Sequence, residues 1–169
     1  MKYLILLVLG APFLSNAQDT CKLKKQTDAF TKQTKIGTGF VTFTTDGGQL
    51  NVSVDATATE IDFFFWFKND TRCFDDQSSI QVNYEGDRLK SNFKNTGSMN
   101  CEGAFHFTFR NTETTPSSLM RFTDKKISSL KFTSTDKKTT EVKFNDAQKQ
   151  QLQRMVSCVV REGKILIKK

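Results

Sequence analysis

From Leu50 to Ala56 apolar residues stand at every second position, with Asn51, Ser53 and Asp55 between them. A period of two is the pattern of a strand with one buried and one wet face. The same alternation sets Ile80, Val82 and Tyr84 against Gln81, Asn83 and Glu85, and Leu89, Ser91 and Phe93 against Lys90, Asn92 and Lys94. It sets Phe105, Phe107 and Phe109 against His106, Thr108 and Arg110. Gly37 to Thr45 also reads as a strand, with Phe40 apart from Val41 and Phe43. Glu60 to Lys68 departs from the rule. It carries Phe63, Phe65 and Phe67 on one face and Phe64 and Trp66 on the other. A strand apolar on both faces is expected to be central and covered on both sides.

The connections are short. Asp46-Gly47-Gly48 and Gly86-Asp87 are tight-turn signals. Asn69 to Ser78 and Asn95 to Glu102 are polar loops. Strands joined this closely are expected to run antiparallel. Lys22 to Lys35 is polar and basic and reads as an irregular lead-in tied down by Cys21.

After Arg110 the pattern changes. Thr115-Pro116-Ser117-Ser118 predicts a short helix ending before Asp124, with Thr115 as cap and Pro116 at the first helical position. Ile127 to Thr135 and Thr139 to Phe144 return to strand character. Asn145 and Gln148 have capping-box spacing. The helix they open, to Val160, gathers Leu152, Met155, Val156 and Val159 on one face, and Gly163 marks its end. Lys164 to Lys168 is either an edge strand or a tail. The expected fold is α+β and mainly β: a strongly bent antiparallel sheet or sandwich of about eight strands, with a C-terminal helix packed on it. A closed, lipocalin-like barrel is a further possibility for a bent sheet, but the G-x-W near the first strand is missing.

The N-terminus changes the picture. Met1-Lys2 precedes an apolar run that ends in Ser15-Asn16-Ala17. This predicts a secretory signal peptide over residues 1–17, leaving residues 18–169 as one disulfide-stabilised β-rich domain. The run is too short for a membrane span, and no longer one follows. The residues before Cys21 do not match a lipoprotein cleavage site. The expected location is periplasmic or secreted. In such a compartment Cys21, Cys73, Cys101 and Cys158 read as two disulfides. Of the three pairings possible, Cys73–Cys101 and Cys21–Cys158 are favoured: one brackets the middle of the chain and the other ties its start to the last helix. A zinc site is the competing use of cysteines, but C-x-x-C spacing is absent and His106 is the sole histidine.

Charge is segregated along the chain. Residues 18–45 carry +3, residues 46–87 carry −7 and residues 88–169 carry +10. Such blocks either steer a charged partner or cancel when strands interleave. Lys125-Lys126 and Lys137-Lys138 fall in or near turns, and the aromatics occupy core-type positions, so nucleic acid is not expected as a partner; an acidic polysaccharide fits better. Asn51-Val-Ser and Asn69-Asp-Thr match the glycosylation sequon.

Candidate chemistry is sparse. The sequence lacks G-x-S-x-G, H-E-x-x-H, a Gly-rich phosphate loop and an EF-hand pattern. Asp75-Asp76 and the Glu60/Asp62 pair are the candidates for paired-carboxylate hydrolysis, but they also read as a solvated turn and as charged guards beside an aromatic run. No enzyme activity and no cofactor are expected. The sixteen phenylalanines supply a core, or line a cavity around Phe63, Phe65 and Phe107.

Cys21 with Asp28-Ala-Phe-Thr, the block Ile127-Ser-Ser-Leu-Lys-Phe-Thr-Ser, Glu141-Val-Lys-Phe and the helix reaching Cys158 resemble small exported bacterial proteins of unknown function. That resemblance implies export and no particular activity. Two function classes follow from the residues. One is a non-enzymatic binding or interaction module for a protein or glycan outside the cytoplasm. The other is a carrier of a small apolar ligand in a Phe-lined cavity. The oligomeric state has no signal in the sequence.

Overall fold

A computed structural model describes residues 21–46, 48–68 and 70–167. The expected signal peptide lies outside them, as do Gly47, the sequon residue Asn69 and the last two lysines. Among the described residues ten antiparallel strands form two sheets. In the first, β1 (Lys24–Thr27), β2 (Thr34–Gly37), β4 (Gly48–Ala56), β5 (Glu60–Phe67) and β8 (Ala104–Arg110) lie in that order, and β3 (Val41–Thr45) also pairs with β4. In the second, β10 (Thr139–Lys143), β9 (Ile127–Thr133), β6 (Ser79–Tyr84) and β7 (Lys90–Lys94) are neighbours.

The apolar face of each strand decides how the sheets meet. Phe63, Phe65 and Phe67 point inward with Phe105 and Phe107, and they meet Phe132 and Phe93 of the second sheet. Phe93 stacks on Phe107 with ring centroids 4.4 Å apart, and Phe67 meets Phe132 edge to face at 4.9 Å. Such ring pairs each add roughly 0.5–1.5 kcal/mol beyond the area they bury. The phenylalanine excess is therefore the filling of a two-sheet sandwich.

Helix α1 (Ser117–Asp124) places Phe122 against Phe63, Phe93, Phe107 and Phe109. Pro116 is its N-cap rather than its first residue, and no side chain caps it. Helix α2 (Asp146–Gly163) opens with the reciprocal Asn145–Gln148 box that the spacing predicts. Its buried side, Leu152, Met155, Val156 and Val159, lies on β2, β4 and β5 of one sheet and β9 of the other. Gly163 abuts Ala56, where a Cβ would come within 2.8 Å. A single 3-10 turn, Lys164–Leu166, follows α2 in place of an edge strand.

Two expectations are corrected at the start of the chain. Lys22–Lys35 is a hairpin, β1 to β2, rather than an irregular lead-in. Its polar residues conceal it because β1 is an exposed edge. The Asp28 carboxylate organises the turn, accepting from the Phe30 and Thr31 amides and the Thr31 hydroxyl. The single strand expected over Gly37–Thr45 is two strands along one edge of β4, separated by Thr38–Phe40. Gly39, at φ +66°, makes that step.

Both disulfides pair as favoured. Cys21–Cys158 anchors the N-terminal segment to α2, and Cys73–Cys101 joins the β5–β6 and β7–β8 connections. Next to the second, Phe74 and Asn100 form an isolated bridge. Among the described residues no helix is long and apolar enough to cross a membrane.

Candidate functional site

The two sheets differ on their outer faces. The second sheet is polar there: Gln81 donates to Asn92, Asn83 to Ser129, and Ser129 to Glu141. The first sheet carries rings. Its outward residues form rows across the strands: Thr42, Asn51, Trp66 and Ala104; then Ser53, Phe64 and His106; then Gly37, Asp55, Asp62 and Thr108. Phe40, thrown outward by the step at Gly39, lies over the first two rows. Its centroid is 5.8 Å from Phe64 and 6.3 Å from Trp66.

Among the described residues no other element covers these rings. Phe40 is 60% exposed, Trp66 37%, and Phe64 is half-buried. The expectation that β5 is covered on both faces is therefore corrected. Nor is β5 the central strand: β4 holds the middle of the sheet, β5 lies between β4 and the edge strand β8, and only its Phe63/Phe65/Phe67 face lies in the core. The Trp66 indole N–H donates to the Glu102 carbonyl at 3.0 Å, which fixes the ring.

Beside the rings lies an open cleft of about 360 Å³. Phe40 and Phe64 line it, with Lys24 and Lys35 from the first hairpin and Ser53, Asp55 and Asp62 from β4 and β5. Lys35 pairs with Asp55 at 3.0 Å. His106 Nδ1 meets Asp62 Oδ1 at 3.1 Å. That hydrogen bond holds the imidazole above its ordinary pKa, against the opposing effect of partial burial, and the charges of Asp62 and Glu60 add to the rise. Asn51, within the first sequon, is only 6% exposed and accepts from Thr42 at 2.6 Å, so its amide serves the sheet.

The other candidates lie apart from this face. Phe63, Phe65 and Phe107 are at most 2% exposed and pack ring on ring. The three surface clefts that can be described are lined by other residues. Asp75 accepts from the Ser78 hydroxyl and from the amides of Gln77 and Ser78, which lowers its pKa and makes it a turn residue. Asp76 is exposed. Glu60 and Asp62 share the outer face of β5, and Asp62 is engaged by His106. All four cysteines are in disulfides, and no cluster of three metal-capable side chains occurs among the described residues. The second cleft, beside Cys73, is bordered by ion pairs that close on themselves, Arg72–Asp70 and Lys138–Asp136.

The His106–Asp62 contact was within reach of the sequence. Both residues fall on the polar parity of their strands, and an antiparallel register between those strands brings them level. Phe40 joining Phe64 and Trp66 had a weaker signal, the glycine immediately before it. Compared with protein-family models, curated proteins and solved structures, the chain matches none.

Proposed function

We propose that this is an exported, non-enzymatic binding module that engages a protein or glycan outside the cytoplasm through the outer face of its first sheet. The observation that carries the reading is that Phe40, Phe64 and Trp66 stand together on a face that no element among the described residues covers. Exposed aromatics grouped on a rigid sheet cost solubility, and a partner that covers them recovers that cost. The polar outer face of the second sheet indicates that rings are not needed there to hold a sheet together. Two disulfides and an N-terminus patterned as an export signal support a periplasmic or secreted location.

The test is co-sedimentation of the protein with cell-envelope and extracellular-matrix fractions, comparing wild type with a Phe40→Ala/Trp66→Ala variant. The reading expects retention to fall at least about tenfold with the thermal midpoint preserved. Equal retention of the two proteins contradicts it.

A further inference from the structure

We infer that the cleft bordered by Phe40, Phe64, Ser53, Asp55, Asp62 and Lys24 is a subsite for an uncharged saccharide, with the two rings as stacking surfaces and the polar groups as partners for sugar hydroxyls. This deepens the binding-face reading above and rests on it.

The shape argues for a ring-sized ligand. A flat protein interface buries roughly 800 Å² on each partner around a desolvated centre. Here the apolar part is three rings, and beside it the surface is concave, with about 360 Å³ of space. That lies at the lower end of the roughly 300–1,000 Å³ typical of small-molecule sites. The lining argues for a ligand that is apolar on one side and rich in hydroxyls on its rim. The C–H face of a pyranose lies against an aromatic ring, while its equatorial hydroxyls reach outward in the ring plane. Around Phe64 the polar groups lining the cleft are Ser53, Asp55, Asp62, Lys24 and Gln26. These supply acceptors and donors at the rim, whereas a purely apolar ligand would have to desolvate them.

Charge argues for neutrality. Asp55 is already met by Lys35 and Asp62 by His106. Lys24 enters no ion pair that joins two described residues. The cleft thus holds two carboxylates balanced by two lysines. A lining without net charge gives an acidic sugar no net attraction to offset the desolvation of its carboxylate, a cost that a neutral sugar does not carry. This departs from the acidic polysaccharide that net charge alone points to.

The experiment is an NMR titration of the protein with cellohexaose, maltohexaose and mannohexaose, and with a hexameric oligogalacturonate as the acidic comparison. Amide shifts give both affinity and location. The expected result is a dissociation constant between about 10 µM and 1 mM for at least one neutral hexasaccharide. Its shifts centre on Ser53–Asp55 and Asp62–Phe64. Phe64→Ala weakens it at least about tenfold, and Phe30→Ala, an exposed ring outside the cleft lining, leaves it unchanged. Tighter binding of the oligogalacturonate overturns the inference, as do shifts that map elsewhere or silence from all four sugars at about 10 mM. The co-sedimentation experiment then separates the two readings. If retention still depends on Phe40 and Trp66, the face binds something other than a neutral sugar, such as a protein. If it does not, the binding-face reading falls as well.

Discussion

Phe64 and Phe65 are neighbours in sequence and lie on opposite sides of one sheet, one against the cleft and one in the core. Truncation separates their roles. Phe107→Ala, between Phe63, Phe65 and Phe93, is expected to cost about 3–5 kcal/mol in urea unfolding. Phe40→Ala, on the exposed face, should cost under about 1 kcal/mol. Equal losses would mean that the outer rings hold the sheet together. His106 gives a pH signature. Its pKa is raised in the folded protein, mainly by the Asp62 hydrogen bond. The stabilisation is therefore complete below the ordinary histidine value near 6.5 and is lost as pH rises through the higher folded value. As the sole histidine, it gives one imidazole resonance to titrate. Asp62→Asn should move that titration down; an unchanged midpoint would remove Asp62 as the cause. Gly103, at φ +73°, would bring a Cβ to 2.9 Å from the Phe67 carbonyl oxygen. Gly103→Ala is thus expected to lower stability by about 1–3 kcal/mol, measured by thermal melting.

At the scale of elements, α2 depends on its first turn. The Asn145 side chain accepts from the Gln148 amide, and Gln148 both returns a bond to Asn145 and donates to the Thr44 carbonyl of β3. Asn145→Ala should cost about 1 kcal/mol. Gln148→Ala should cost more, since it also loosens the helix from the sheet; equal costs would reduce Gln148 to a cap partner. The strands that alternate cleanly, such as β4 and β6, were legible from their period alone. β1 was not, because an exposed edge strand buries nothing and leaves no apolar trace. The β2–β3 break was half legible: alternation set Phe40 apart, but only the backbone shows that Gly39 turns a difference of face into a break. Helix α2 was fully legible at its start, where capping chemistry is local. Its end at Gly163 was legible too, whereas the 3-10 turn that follows was not told apart from an edge strand or a tail.

Across the whole molecule, the segregated charge is offset in part by pairing, and a net positive charge remains. Acids of the middle block meet bases of both flanks: Asp55 with Lys35, Asp87 with Lys125, and Glu85 with Lys149. Strands with one wet face were compatible with either a strongly bent sheet or a sandwich of about eight strands, and the ten strands form the sandwich. The outer aromatic face did not follow, because a doubly apolar strand reads as doubly buried unless a partner outside the chain is considered. Trp66, the sole tryptophan, stands on the proposed binding face and reports directly on a partner that covers it. The measurement is Trp66 emission and acrylamide quenching as the protein is titrated with the envelope or matrix fraction that retains it. Binding through this face gives a blue shift and loss of quenching in step with retention. Retention with Trp66 emission and quenching unchanged would place the binding surface elsewhere.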